Sequence, residues 1–352
     1  MMSEKTLMKG NEAIAEGAII AGCRYYFGYP ITPQSEIPEY LAWRLPEVGG
    51  VFLQGESELA SINMVYGAAA GGARAMTSSS GPGISLKLET IGAIAAEEIP
   101  CVIVNVSRGG PGVGCIQGSQ GDYFQSVKGG GNGDYRLIVY APSSVQEMMD
   151  LTLRAFDKAD EWRNPVMLLS DGNIGQMMES VEVPEPVKNL PPKPWAATGW
   201  DGKRERNVHT ALDNLPAICE PHNLRLQEKY KQISEKEVMW EEIETADADI
   251  VLVGFGICAR IAYTVMNQAR KEGIKVGIFR PITLWPYPYE ALAALAGKVK
   301  GFLVVEQNAG QMLEDVKLAV DGKKPVEFHG RMGGSLPQTE DILAIVRKMS
   351  GK

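Results

Sequence analysis

The chain has 352 residues, 45% of them hydrophobic, and a formal net charge of −8. That length suits two α/β units of ordinary size, with enough apolar residues for large cores. The acidic balance argues against a nucleic-acid surface, which needs clustered Lys and Arg, and no stretch is apolar enough to span a bilayer. The segment Met1–Lys9 lacks the apolar run of a secretory signal, so a cytoplasmic location is expected. The five cysteines and three histidines are scattered, without the spacing of an iron–sulfur or zinc site.

In chain order, Cys23–Phe27 reads as a strand and Gln34–Leu45 as a helix. Between them lies Gly28-Tyr29-Pro30-Ile31-Thr32-Pro33, a turn stiffened by two prolines, which fix their own φ and push the residue before them into extended conformation. Val51–Gln54 is a strand leading through Gly55-Glu56-Ser57-Glu58 into a small-residue helix, Leu59–Ala73. Arg74–Ser79 is a strand ending in Ser79-Ser80-Gly81-Pro82-Gly83, before a helix over Ile84–Glu97. Pro100–Val106 is a buried strand ending in Ser107-Arg108-Gly109-Gly110-Pro111. Strand Leu137–Tyr140, helix Ser144–Trp162 and strand Pro165–Leu169 complete a doubly wound parallel sheet.

The next stretch is rich in proline, then polar; Leu224–Glu244 is expected as an exposed helical arm that braces a neighbouring subunit. A second, smaller α/β unit follows. Its strands are Asp249–Val253, Lys275–Phe279, Gly301–Val305 and Pro325–His329; its helices are Ala259–Lys271, Tyr289–Leu295 and Met312–Val320. The expected boundaries are 1–183, 184–246 and 247–352. Gly254-Phe255-Gly256-Ile257-Cys258-Ala259 has the form of a dinucleotide fingerprint, but the next strand ends in Arg280-Pro281 instead of an acid. That weakens an NAD reading and leaves NADP open. A tight turn for strand–helix packing is the plainer reading.

Tyr29-Pro30-Ile31-Thr32-Pro33, Glu56-Ser57-Glu58, Thr77–Gly83 and Ser107–Pro111 occur in this order at separate strand ends. Together with Gln120–Tyr123, Lys128–Gly131, Arg280–Pro286 and Val305–Asn308 they resemble the 2-oxoacid:ferredoxin oxidoreductases, and most of all the alpha-type subunit of the branched-chain enzymes. The resemblance implies a pyrimidine-binding domain for thiamine diphosphate, followed by a domain like the C-terminal one of transketolase. It implies oxidative decarboxylation of a 2-oxoacid, with coenzyme A taking the acyl group and ferredoxin the electrons. 3-Methyl-2-oxobutanoate is the expected substrate, and 2-oxoglutarate is the alternative.

The diphosphate of this cofactor is normally held through a divalent metal by a Gly-Asp-Gly motif and a downstream Asn, and Asp171-Gly172-Asn173 is not a match. The chain is therefore expected to supply only the pyrimidine side, through Pro30, Ile31 and Glu58. A beta-type subunit would bring the diphosphate and Mg2+. Gamma and delta-type subunits would complete the complex, with the [4Fe-4S] clusters on partner chains.

Glu58 is the expected catalytic residue, sharing a proton with the pyrimidine ring. Alone, Glu56 and Glu58 would merely favour a helix N-terminus. Arg108 and Thr32 are the expected substrate-binding residues. An Arg fork suits a carboxylate, whereas a solvated or interface arginine is the bland alternative; for Thr32 the alternative is a turn residue bonded to local backbone. The glycines at 109, 110, 112 and 114 allow close approach to a ligand or form an interface loop, and Gly129–Gly133 has the same ambiguity. An NADP-dependent oxidoreductase and a non-catalytic assembly subunit are the readings from other classes.

Overall fold

The computed structural model describes residues 5–128 and 130–352. The elements are, in order, β1 (Lys5–Lys9), α1 (Gly10–Ile20), β2 (Tyr25–Gly28), α2 (Glu36–Glu47), β3 (Val51–Gln54), α3 (Glu58–Ala70), β4 (Ala75–Ser79), α4 (Gly81–Ala96), β5 (Val102–Ser107), α5 (Tyr123–Val127), β6 (Ile138–Tyr140), α6 (Val145–Trp162), β7 (Val166–Asp171), α7 (Gly172–Gln176) and β8 (Met178–Glu182). They continue with α8 (Pro216–Lys236), β9 (Trp240–Ile243), β10 (Ile250–Val253), α9 (Gly256–Lys271), β11 (Val276–Pro281), β12 (Thr283–Trp285), α10 (Tyr289–Ala296), β13 (Gly301–Glu306), α11 (Met312–Val320), β14 (Val326–Gly330) and α12 (Thr339–Ser350).

The larger sheet has the order β12-β6-β7-β5-β4-β2-β3. Its strands are parallel except β12, which runs antiparallel to β6. Strands β4, β5 and β7 are buried along their whole length and nearly free of charge, because helices cover both faces. Helix α1 packs on both α2 and α6, and α3 packs on α4. From β2 the chain steps outward to β3, then back past β2 to β4. The strand order thus reverses around β2, and in such sheets the crevice at the reversal is where ligands bind.

The smaller sheet has the order β14-β13-β10-β11-β9, parallel except for the edge strand β9. No helix among the described residues is long and apolar enough to cross a membrane.

Three expectations need correction. Gly81-Pro82-Gly83 is not a turn before a helix; it is the first turn of α4, where proline costs no intrahelical hydrogen bond. The exposed arm expected over Leu224–Glu244 is only partly found. Helix α8 starts earlier than expected and buries Leu226, Tyr230 and Ile233. Its supposed end, Trp240–Ile243, becomes β9 and pairs with β11. The boundary at 247 is not clean either, since β12 leaves the C-terminal unit to pair with β6.

Candidate active site

The turn after β2 is held from beneath. Tyr26 Oη and Ser78 Oγ share a hydrogen bond of 2.6 Å, and Ser78 Oγ also donates to the fully buried Gln34 side chain. Gln34 Nε2 donates to the Tyr29 carbonyl at 3.3 Å, and Asn11 Nδ2 to the Pro33 carbonyl at 2.8 Å. Arg108 Nη1 donates to the Thr32 carbonyl at 2.9 Å. With the backbone fixed in this way, the Tyr29, Pro30 and Thr32 side chains stay exposed and Ile31 half-buried.

Glu58 and Glu56 have opposite surroundings. Ser57 caps α3 through its hydroxyl, which accepts from Ala60 N at 3.2 Å. That cap makes Glu58 the first helical residue and turns it inward, where it is buried, while Glu56 is exposed. No donor among the described residues reaches the Glu58 carboxylate. It lies instead against Gly83 in the first turn of α4: a Cβ there would sit 2.6 Å from Glu58 Oε1 and overlap Ser79 Oγ. Only glycine leaves this notch open.

Arg108 is buried, not solvated. Besides Thr32, it reaches the Val113 carbonyl through Nη2 at 3.0 Å, so it ties the turn after β2 to the loop after β5. Its Nε has no partner. Four more buried polar atoms nearby also lack one: Ser79 Oγ, Ser80 Oγ, Asn105 Oδ1 and Ser107 Oγ. All lie at or just beyond the carboxyl ends of β4 and β5. Buried polar atoms are normally paired, so this concentration fits a site that takes a polar ligand. Asp122 also lies here, accepting from Asn105 Nδ2 at 3.1 Å, and burial pushes its carboxyl above the usual range. A cavity of about 300 Å³ opens beside it, lined by Pro111, Asp122, Asn308 and Met332 among others.

The glycine loops are packed only in part, and Gly112 and Gly133 stay exposed. Cys115 N donates to the Gly109 carbonyl at 2.8 Å, and Gly109 abuts Gly333 and Gly334 of the C-terminal unit. Gly131 N donates to Tyr135 Oη at 2.9 Å and its Cα packs on the Leu88 carbonyl of α4; Gly129 lies outside the described residues.

The fingerprint in the second unit is already occupied. Gly256, at φ +53°, opens α9, and the Asp171 carboxylate accepts from Ile257 N at 2.8 Å, where a dinucleotide would place its pyrophosphate. Asp171 also accepts from Ile174 N at 3.1 Å. Arg280, the residue that kept NADP open, is engaged by Glu147 at 2.7 Å and Glu241 at 2.9 Å. The turn therefore serves to dock α9 on the N-terminal unit, and the NADP reading loses both its residues.

Two residues escaped the sequence reading. Gln34 stands in a polar turn and gives no sign of burial. Lys87 could have been found: it shares the buried stripe of α4 with Ile84 and Ile91, at i+3 and i+4 spacing. Its side chain is fully buried, and burial brings the amine down to about 7 while the Glu58 charge opposes the shift.

Comparison with known proteins agrees with this geometry. Residues 16–236 match the family model described as pyruvate flavodoxin/ferredoxin oxidoreductase, thiamine diphosphate-binding. Residues 248–342 match the pyruvate:ferredoxin oxidoreductase core domain II. The chain belongs to the 2-oxoacid:ferredoxin oxidoreductase family.

Within this family it is 50% identical to the ketoisovalerate oxidoreductase subunit VorB of Methanothermobacter thermautotrophicus, over 98% of each chain. It is 39% identical to the 2-oxoglutarate synthase subunit KorA of the same organism, over 99% of this chain and all of that one. The 2-oxoglutarate:ferredoxin oxidoreductase of Magnetococcus marinus, solved with 2-oxoglutarate, coenzyme A and succinyl-CoA, superimposes with a TM-score of 0.87 at 27% identity. This chain covers 65% of that one's length, with 99% of its own residues aligned. A split-gene transketolase, with a TM-score of 0.58 at 15% identity, shares the fold. The family members are oxidoreductases, and the expected α/β architecture is the one found.

Proposed function

We propose that this chain is the alpha-type subunit of a heteromeric, cytoplasmic enzyme that oxidatively decarboxylates 3-methyl-2-oxobutanoate to the acyl-CoA and CO2, with ferredoxin as electron acceptor. The observation that carries the reading is the Glu58 carboxyl, buried and without a donor, against the notch kept open by Gly83. Higher identity to the ketoisovalerate subunits than to the 2-oxoglutarate ones favours the branched substrate. 2-Oxoglutarate is the second reading, favoured by the Magnetococcus structure.

The residues present fit the pyrimidine end of thiamine diphosphate: Pro30 and Ile31 would line the ring and Glu58 would hydrogen-bond its nitrogen. When bound, that cofactor would supply the electron sink for decarboxylation. Glu58 would hold the proton shared with the ring nitrogen. Arg108 has five N–H groups and spends two on backbone carbonyls; the others, Nε included, remain for the substrate carboxylate. The exposed Thr32 hydroxyl stands at the same mouth. Asp171 is committed to backbone N–H groups, so the diphosphate and Mg2+ are assigned to a beta-type subunit. The edge strand β3 supports such a neighbour, since Val51 and Leu53 are exposed beside Leu59. Gamma and delta-type subunits, the latter with [4Fe-4S] clusters, complete the complex.

The test is deuterium exchange at cofactor C2 in the assembled complex. Glu58→Gln is expected to slow it by on the order of 10²–10⁴-fold, and Glu56→Gln hardly at all. Equal rates in wild type and Glu58→Gln would leave the assembly-subunit reading standing. A panel of 2-oxoacids on the same complex decides the substrate.

A further inference from the structure

Lys87 is fully buried behind Glu58, and the catalytic reading gives it no task. Its Nζ donates to Thr77 Oγ1 on β4 at 2.9 Å and to the main-chain carbonyl of Glu58 at 3.3 Å. No carboxylate among the described residues pairs with it. Arg74 and Arg280 are also buried and differ in this respect: Arg74 has Asp157 and Asp160, and Arg280 has Glu147 and Glu241. Two acceptors satisfy a neutral amine, whereas an ammonium would keep a third N–H unpaired. The charged group acting on the amine is Glu58, from α3. From β4 it meets the neutral Thr77; on its own helix Glu89 is exposed, and Asp122 lies at Gly81, at the helix start.

We propose that Lys87 is a positioning residue, held against the Glu58 main chain, whose change between ammonium and amine sets from behind the field in which Glu58 meets the cofactor ring. The inference rests on the assignment of Glu58 to that ring. An ammonium at Lys87 favours the Glu58 carboxylate through space, and a neutral amine withdraws that support. Burial places the changeover near neutrality, at about 7. A ligand that shares a proton with Glu58 must then draw on Lys87 as well.

The test is calorimetry of thiamine diphosphate binding to the assembled complex, in buffers of different ionisation enthalpy, from about pH 6 to about pH 8.5. The wild type is expected to exchange protons on binding, in a number that changes through neutrality. Lys87→Gln keeps two N–H donors for Thr77 and the Glu58 carbonyl but carries no charge. Lys87→Met keeps neither. Both are expected to lose the pH dependence of the proton count. If Lys87→Gln retains the wild-type profile, the lysine is a tether only and the proposal falls. Lysine labelled with 13C at Cε gives a second reading, with Lys229, lowered by burial to about 8, as the signal to be told apart. A lysine signal titrating near neutrality in the wild type and missing from Lys87→Gln supports the proposal, and its absence from the wild type overturns it. Glu58→Gln separates the two ideas: an unchanged proton count there refutes the Glu58 assignment itself.

Discussion

The carboxyl ends of the two sheets are built alike and used in opposite ways. At the end of β10, the first turn of α9 is closed by the Asp171 carboxylate, and Gln120 Nε2 donates to the Phe255 carbonyl at 2.8 Å. At the end of β13, Glu306 accepts from Met312 N at 2.8 Å and Leu313 N at 2.9 Å, while Asn308 Nδ2 reaches the Gln120 carbonyl at 2.9 Å. These strand-end groups are consumed by the chain itself. At the ends of β4 and β5, by contrast, Ser79, Ser80, Asn105, Ser107 and Arg108 keep buried polar atoms without partners. The same α/β architecture thus gives one end to docking and leaves the other with polar atoms unpaired. An unpaired buried polar group costs roughly 1–3 kcal/mol, a cost that a polar ligand paired with these atoms would offset.

The contrast is sharpest at Gly83. Gly83→Ala places a methyl against Ser79 Oγ and Glu58 Oε1. Affinity of the assembled complex for thiamine diphosphate is expected to fall by on the order of 10³-fold, about 4 kcal/mol. Wild-type affinity in a folded Gly83→Ala complex, measured by calorimetry, would show that the notch is not a binding surface.

Next in size is the stability cost of Lys87. Its amine lies at about 7 in the folded chain, below the ordinary lysine value of 10.5. Between these values the unfolded chain binds more protons, so wild-type stability rises with pH across that window. Below 7 the full cost is felt. The stability difference between Lys87→Met and wild type should shift in the variant's favour, by on the order of 3 kcal/mol, from pH 10 to pH 7. Denaturation series at the two pH values check this, and a difference that does not move with pH would mean the amine is not strained by burial.

The smallest effect belongs to the docking end. Asp171→Asn keeps the shape but weakens two charge-assisted caps, and a loss of about 1–2 kcal/mol is expected. Cofactor affinity should stay at the wild-type level. If affinity collapsed while stability held, the division between the two ends would be wrong.

Much of this was legible because it is local. Buried strands such as Val102–Ser107 are apolar throughout, and the turns that follow them carry glycine and proline. Val51–Gln54 and Met312–Val320 are found at their expected bounds. Helix α1 gave little such signal, since it is buried on nearly every side between α2 and α6 and only Glu12 and Glu16 mark a polar edge. The roles of Asp171 and Arg280 were hidden for another reason. Their partners are 86 and 133 residues away in sequence, at Ile257 and Glu147. For the site, motif order pointed to Glu58, Thr32 and Arg108; the structure joins Arg108 to the Thr32 carbonyl and sets Glu58 against Gly83 in the first turn of α4. The lysine behind them went unseen because charge was read as surface.

Strand β12 ties the birth of the molecule to its far end. Its residues, Thr283–Trp285, cover the flank of β6 in a sheet otherwise made from residues 25–171. During synthesis that flank has no strand partner until residues 283–285 have left the ribosome. An uncovered strand edge is a template for wrong pairing, and a chaperone's attention belongs in that interval. A gene split in the proline-rich stretch after residue 183 would make the interval permanent, unless the two products met promptly.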